Sequence, residues 1–193
     1  MKAIIQTMFC LFFLISCNKK VEEAKTEKPK PILIKIGYYP SFHQPAETIF
    51  NLNENYLIFY SPTSYNPPPP PPPPEKGITS SKDRDDYKEF LNERPELVPF
   101  KTNVSETEVQ QILKITDSFR LEDFNDKDIM PDLDGMSTNI IIFYSDGKLI
   151  QMNPMNVPNP KQRELYNQIL NIVLDKNSNS NNSIILQKIK DYR

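Results

Sequence analysis

Apolar residues in the first half of the chain come in short runs that are rich in β-branched and aromatic side chains. Three such runs follow one another, at Ile32–Ile36, Thr48–Leu52 and Tyr56–Tyr60. The polar cluster Asn53–Asn55 separates the last two, a spacing typical of a hairpin. We therefore expect a three-stranded antiparallel meander. Because the third run shows no polar alternation, it is predicted to occupy a central, well-covered position.

A second hairpin is predicted over Ser137–Asn153. Ile140–Tyr144 is a strong strand former, and Leu149–Met152 is the returning strand. The Asp146-Gly147 pair between them is favoured in two-residue type I′ turns, whose central residues need positive φ. Prolines that follow Asn153 are expected to end the second strand.

The pattern changes to helical spacing after residue 104. Ser105 and Glu108 form a capping box, with Ser105 as N-cap and Glu108 at the third helical position. Val104 is placed to pack against Val109 across the cap. One apolar stripe then follows the predicted helix at Val109, Ile112, Leu113, Thr116 and Phe119.

Two more helices are predicted near the carboxyl end. Asn159 is a good N-cap, and Pro160 suits the first helical position. The apolar face of this helix contains Leu165, Ile169, Ile172 and Val173, with Tyr166 beside it. A polar, mobile loop is expected over Asp175–Asn182, with Ser183 capping a last short helix over Ile184–Tyr192.

The middle of the chain contains eight consecutive prolines, Pro67–Pro74. Since proline lacks an N–H donor and fixes φ, this block predicts a polyproline II rod about 25 Å long. It would serve either as a docking ligand for an aromatic-lined groove or as a stiff spacer. A short helix is expected over Asp83–Leu91, ended by Arg94-Pro95, and Glu96–Phe100 should be extended.

Strands and helices are largely segregated along the chain, which favours the α+β class. We predict a small antiparallel sheet built from the meander and the hairpin. Two to three helices would pack on one face of that sheet, with the polyproline block as an insertion. The length suits a single domain over residues 31–193.

The amino terminus has the pattern of a secretory signal peptide over residues 1–16. Lys2 supplies a positive charge, Met8–Ile15 is unbroken apolar sequence, and Leu14-Ile15-Ser16-Cys17 follows. This tetrad resembles the lipobox of bacterial lipoproteins. The resemblance implies cleavage before Cys17, a diacylglycerol on its sulfur, and a further acyl chain such as palmitate on its amino group. Three chains would anchor the protein stably, since each buried CH₂ contributes about 0.8 kcal/mol.

Residues 17–30 are predicted to be the lipidated cysteine and a flexible, charged tether. Lys19-Lys20 and Glu22-Glu23 resemble the charged export signals of Bacteroidota surface lipoproteins. The arrangement of predicted elements also resembles small domains of Bacteroidota envelope lipoproteins, a likeness that brings no activity with it. We expect attachment to a bacterial outer membrane, at the periplasmic face or the cell surface.

Composition narrows the possible functions. The formal charge of −2 becomes −3 once the segment with Lys2 is removed, and so weak a charge gives no reason to expect nucleic-acid binding. The two cysteines are Cys10, which leaves with the signal peptide, and Cys17. The mature chain then has no thiol for a disulfide or a metal site.

Catalytic motifs are absent from the sequence. His43 is the only histidine, and four scattered glycines cannot form a phosphate-binding loop. The acid-rich segment Leu121–Gly135 does not fit the EF-hand pattern, because Met130 falls at the first ligand position. Tyr38 to His43 is predicted to be an aromatic-rich loop that could line a ligand site. We predict no metal, no cofactor and no catalytic residues.

The sequence therefore predicts a lipid-anchored, non-catalytic binding or structural module of the cell envelope. Its partners would be the membrane, through Cys17, and an envelope protein or polymer. Two alternatives stay open. One is an envelope hydrolase that uses two carboxylates, which are defined by their separation in space rather than by a motif. The other is an inhibitor or immunity-type lipoprotein with a rigid face of aromatic anchors.

Overall fold

The computed structural model describes residues 28–41, 43–66, 88–125, 135–154 and 158–192. Its strands are β1 (Pro31–Pro40), β2 (Ala46–Asn51), β3 (Tyr56–Tyr60), β4 (Phe100–Asn103), β5 (Met136–Tyr144) and β6 (Leu149–Met152). The α-helices are α1 (Glu106–Asp117), α2 (Pro160–Lys176) and α3 (Ser180–Asp191). A 3₁₀ turn covers Leu121–Phe124, and residues 88–92 are also helical. The α+β class is confirmed.

All six strands form one antiparallel sheet in the order β4-β3-β2-β1-β5-β6. The predicted meander is its β1-β2-β3 part. The third strand is an inner strand as predicted, since β3 lies between β2 and β4. The prediction that it is well covered is wrong, because only Leu57 and Phe59 are buried in β3. Ile58 between them lies on the second face, so an uninterrupted apolar run did not indicate burial on both faces.

One face of the sheet forms the core. Register places Ile34 beside Phe50 and Ile142, and Ile36 beside Thr48 and Ile140, and all of these are buried. The buried faces of the three helices belong to the same cluster. Helix α1 packs against α2, and α2 against α3. The helices thus cover one face, as predicted.

The β5–β6 hairpin is present, but its turn differs from the predicted type I′. Tyr144 N–H donates to Lys148 O at 2.9 Å, and Gly147 N–H donates to Tyr144 O at 3.0 Å. Gly147 has φ 85°, whereas Asp146 is not among the described residues with positive φ. The loop closed by the Tyr144–Lys148 bond therefore contains three residues, of which only Gly147 has positive φ. The Asp-Gly pair predicted the position of the turn correctly and its type wrongly.

The helix starts follow the caps where a cap was recognised. Ser105 and Glu108 form both bonds of the capping box, and Asn159 accepts from Lys161 and Gln162 N–H. The predicted start of the last helix at Ser183 is wrong. Asn179 is its N-cap and accepts from the N–H groups of residues 181 and 182. The expected polar loop over Asp175–Asn182 reduces to three residues, because asparagine side chains cap the helix locally.

Strand β4 extends the sheet beyond the predicted elements. Only an extended segment over Glu96–Phe100 was expected, whereas Phe100–Asn103 pairs with β3. Several predictions fall outside the described residues: the signal peptide, Cys17, most of the tether, Pro67–Pro74 and residues 126–134 of the acid-rich segment. Among the described helices, none has the length and apolar character needed to cross a bilayer.

Candidate functional site

The face of the sheet opposite the helices carries a buried carboxylate. Glu47 on β2 is only 3% exposed. Its two oxygens accept hydrogen bonds from the hydroxyls of Tyr39, at 2.5 Å, and Tyr60. The ammonium group of Lys35 lies 2.8 Å from Oε2. We call Lys35, Tyr39, Glu47 and Tyr60 the Glu47 cluster.

Register explains how Tyr39 reaches this carboxylate. Gly37 on β1 is the direct partner of Glu47 across the sheet. The Tyr39 ring folds back over Gly37, so that a Cβ there would lie 2.5 Å from Tyr39 Cε2 and 2.7 Å from its hydroxyl. Gly37 therefore provides the space through which the ring passes. A glycine in a central strand often marks such a close approach.

The Glu47 cluster is electrostatically complete. Burial alone would raise the pKa of Glu47, but hydrogen bonds from Lys35, Tyr39 and Tyr60 outweigh it and lower that pKa. Burial and the bond to Glu47 raise the pKa of both tyrosines. A carboxylate that accepts from three donors is ionised and held in one orientation, and both of its oxygens are engaged. We therefore interpret the Glu47 cluster as a stabilising feature of the open face of the sheet.

A cavity of about 470 Å³ lies where β1 ends and β2 begins. Its walls come from the β1–β2 connection, from the chain leaving β3, and from the segment around residue 94. The lining residues are Ser41, His43, Gln44, Pro45, Thr63, Ser64, Tyr65, Asn66, Phe90 and Arg94. We call this space the distal cavity. None of these ten residues is acidic.

Gln44 holds the three walls of the distal cavity together. Its Oε1 accepts from Leu97 N–H at 2.9 Å, and its Nε2 donates to Thr63 O at 3.4 Å. Tyr65 adds a third connection, because its hydroxyl donates to Arg94 O at 2.9 Å. The cavity is thus built by tertiary contacts between segments that are distant in sequence.

His43 is half-buried beside the end of α3. Its ring meets the Tyr192 ring edge-on, with centroids 6.0 Å apart. Burial, followed by the positive charges of Arg94 and Lys188, lowers the pKa of His43, and the nearby Glu93 opposes this shift. His43 is therefore uncharged at neutral pH and offers one donor and one acceptor nitrogen.

Arg94 supplies the charge of the distal cavity. Its guanidinium carbon lies 3.7 Å from the centroid of the Phe90 ring, and Nη1 donates to Phe90 O at 3.3 Å. Within the described part of the chain, no carboxylate pairs with Arg94. Stacking and the bond to Phe90 O hold the planar guanidinium in place. Most of its five N–H donors have no protein acceptor among the described residues.

Two hydroxyl groups of the distal cavity are engaged with backbone carbonyl oxygens. Ser41 Oγ donates to Gly135 O at 2.7 Å rather than to His43. The Tyr65 hydroxyl donates to Arg94 O. A nucleophile needs a base within hydrogen-bond reach, and the described contacts of His43 include no such partner.

A smaller cavity of about 270 Å³ lies at the other end of β1, beside Lys28, the first described residue, which belongs to the predicted tether. Lys28, Asp117, Phe124, Tyr144 and Asp146 are among its lining residues. Lys28 lies 3.5 Å from Asp117. Lys30 N–H donates to Ser145 Oγ at 3.1 Å, and Ser145 N–H donates to Lys30 O at 2.8 Å. We call this region the tether end. Burial, then Asp117 and Asp146, raise the pKa of Tyr144.

The aromatic loop predicted over Tyr38 to His43 is largely strand. Tyr38 belongs to β1 and is fully buried in the core, edge-on to Tyr166 at 5.3 Å. Tyr39 points to the opposite face. Of the aromatic side chains in this segment that the structure describes, His43 alone lines the cavity, together with the neighbouring Ser41. Phe42 is outside the described residues. Arg94 was read solely as a helix stop, since no local pattern connects it with His43.

Comparisons with known proteins add no relative to this picture. No protein-family model, no curated protein sequence and no solved structure matches the chain. Among the described residues, no group of three or more histidine, cysteine, aspartate or glutamate side chains could hold a metal ion. The distal cavity is therefore assessed on its own geometry.

Proposed function

We propose that this chain is a lipid-anchored binding module of the bacterial cell envelope and that the distal cavity is its binding site. The anchor rests on the Leu14-Ile15-Ser16-Cys17 tetrad, which resembles a lipobox. The binding site rests on the cavity volume and on the Arg94 guanidinium, which has no carboxylate partner among the described residues. The protein is non-catalytic in this proposal, because the cavity combines polar donors with no activated nucleophile.

One observation supports both parts together: the tether end and the distal cavity lie at opposite ends of β1. This strand has ten residues, which corresponds to about 30 Å. A protein attached through residues preceding Lys28 would present the distal cavity away from the membrane. That placement suits the capture of a ligand or partner from the surrounding envelope.

The anchor is tested by metabolic labelling with a clickable fatty acid. The intact chain should be labelled and should enter the detergent phase on partition, whereas Cys17→Ala should lose both properties. Cys10→Ala is the matched control, since Cys10 belongs to the segment that cleavage removes. An unlabelled intact chain, or equal labelling of Cys17→Ala, would refute the anchor.

The binding site is tested by photo-crosslinking in living cells. A photoreactive amino acid is placed either at Thr63, beside the distal cavity, or at Leu121, which is 85% exposed near the tether end. Discrete adducts should form from Thr63 and should be reduced by Arg94→Gln. Equal adducts from both positions, or adducts only from Leu121, would contradict the proposed site.

A carboxylate-dependent hydrolase is the second candidate, and one observation favours it. Asp117 and Asp146 line the same cavity at the tether end. However, Asp117 lies beside the Lys28 ammonium, and Asp146 accepts from Lys148 N–H within its own turn. Loss of a hydrolytic activity in both Asp117→Asn and Asp146→Asn would establish this candidate in place of the first.

A further inference from the structure

We propose that the distal cavity recognises a small organic carboxylate through Arg94. This inference rests on the proposed function and specifies its ligand class. The starting point is the charge of the cavity lining. Among the ten described lining residues, Arg94 is the only charged side chain at neutral pH, so these residues together carry a single positive charge. A single charge matches a carboxylate monoanion, whereas a phosphate dianion would leave one negative charge uncompensated.

The geometry of Arg94 supports this class of ligand. The guanidinium is stacked on Phe90, and one Nη1 bond to Phe90 O fixes its orientation. A planar fork of N–H donors pairs with a carboxylate through two parallel hydrogen bonds. Fixing the fork before binding reduces the rotamer entropy that is lost on binding. The remaining donors are therefore prepared for an acceptor that the described protein does not supply.

Among the described residues, the charges near the cavity that do not line it are paired with each other. Lys188 on α3 lies 3.7 Å from the Glu93 carboxylate. In the described part of the chain, these two residues, Arg94 and Tyr192 are the ionisable groups near His43. Arg94 and His43 thus differ in role. Arg94 supplies the charge, and the uncharged His43, on the wall formed by the β1–β2 connection, offers one donor and one acceptor nitrogen.

The other lining residues indicate which chemical groups the rest of the ligand should carry. Pro45, Phe90 and Tyr65 provide apolar surface, while Thr63, Ser64 and Asn66 provide polar side chains. A volume of about 470 Å³ lies within the range of small-molecule sites. The ligand expected here is a carboxylate on a body the size of an acylated amino acid or an acidic sugar.

The experiment uses the full-length mature protein in detergent micelles and saturation-transfer-difference NMR. The probes are N-acetylalanine and glucuronate, and their uncharged counterparts are N-acetylalaninamide and glucose. Inorganic phosphate is the third arm. Both carboxylates should give saturable signals, and each should bind about tenfold more tightly than its counterpart, corresponding to about 1.4 kcal/mol. Phosphate should not displace them at equal concentration.

Variants connect binding with the guanidinium. Arg94→Gln should weaken carboxylate binding about tenfold. Arg94→Lys, which keeps the charge and loses the fork, should fall between Arg94→Gln and the unaltered protein. Lys188→Gln is the matched control, since it removes a nearby positive charge outside the lining, and it should change affinity less than twofold. Unchanged thermal unfolding of each variant shows that the fold persists, and Arg94→Lys serves if Arg94→Gln does not fold.

Three results would overturn the inference: equal binding of charged and uncharged probes, carboxylate binding that is unaffected in Arg94→Gln, or displacement by phosphate. A fourth result, failure of both carboxylates to bind, would overturn it as well. If crosslinking at Thr63 still succeeds in that case, the proposed function survives and only the ligand class fails. If crosslinking and labelling fail while carboxylates bind, the ligand class stands and the proposed function fails.

Discussion

At the scale of single residues, Glu47 shows how a carboxylate is accommodated on a sheet face. Leaving a buried carboxylate without partners would cost several kcal/mol. Three donors converge on it here, and one arrives only because Gly37 leaves room for a ring. The function of Gly37 is therefore steric. Gly147, by contrast, has φ 85° and nothing within 4 Å of a Cβ, so its requirement is conformational.

The first prediction concerns Gly37→Ala. The added methyl displaces the Tyr39 ring and breaks its bond to Glu47, lowering the free energy of unfolding by about 1–3 kcal/mol. Tyr39→Phe removes the same bond directly. The two changes should therefore be non-additive in a double-mutant cycle measured by urea unfolding. Additive effects would show that Gly37 does not act through Tyr39.

The second prediction concerns pH. Folding lowers the pKa of Glu47 below its ordinary 4.5, so the stabilisation is present above that pH and is lost as pH falls through the folded value. Glu47→Gln should cost about 1–3 kcal/mol near neutral pH. The difference from the unaltered protein should shrink as pH falls below about 4.5, because a protonated glutamate resembles glutamine.

Unfolding by urea across a pH series measures this difference. Glu54→Gln is the control, since Glu54 is an exposed turn residue that carries the same charge. Its effect should stay near zero at every pH. A constant difference between Glu47→Gln and the unaltered protein from pH 3 to 7 would contradict the assigned ionisation.

At the scale of elements, asparagine side chains connect the last helix to the rest of the fold. Asn179 caps α3, and Asn182 in its first turn is fully buried. The Asn182 amide donates to Val98 O at 2.8 Å and accepts from Val98 N–H at 2.9 Å. It thereby satisfies both backbone groups of a residue in the segment that leads into β4. Strand pairing would otherwise perform this role.

The third prediction is that Asn182→Ala destabilises the protein by about 1–3 kcal/mol, since it leaves the Val98 N–H and C=O without partners. Asn181→Ala is the matched control, because the neighbouring side chain makes only a 3.4 Å bond to Glu96 O. Hydrogen exchange of the Val98 amide should accelerate in the first variant alone. Equal effects of both changes would assign the stabilisation to helix propensity instead.

At the scale of the whole molecule, β1 is a middle strand of the sheet, and the tether end and the distal cavity lie at its two ends. The tether end holds Lys28 against Asp117 and the backbone of Lys30 against Ser145. The distal cavity lies at the opposite end. About ten residues between Cys17 and Lys28 would average about 17 Å as a coil. In the proposed arrangement the distal cavity lies farther from the bilayer by the length of β1.

The fourth prediction places a fluorophore on a single cysteine at either Leu121 or Thr63 and measures quenching by spin-labelled lipids. Both positions are exposed, and acylation of Cys17 leaves no competing thiol in the proposed mature chain. In vesicles, the label at Leu121 should be quenched more than the label at Thr63. Equal or reversed quenching would contradict the orientation, although fatty-acid labelling of Cys17 would still stand.

The sequence by itself determined the local structure wherever the controlling atoms are close neighbours. The capping box at Ser105, the N-cap at Asn159 and the position of the Gly147 turn depend on contacts within about four residues, and all three were predicted. The class of fold followed from the order of these elements. The start of α3 was missed, because asparagine and serine both suit a cap and only the packed structure selects between Asn179 and Ser183.

Tertiary structure alone decided which side chains meet across long separations. Lys35 and Glu47 become partners through strand register, and one residue of slip would move Glu47 to the other face. His43 and Arg94 line one cavity because Gln44 and Tyr65 join three segments that no local pattern connects. Local hydrogen bonds are encoded in short stretches of chain. A site assembled from distant segments depends on the packing of the entire core, which no short stretch specifies.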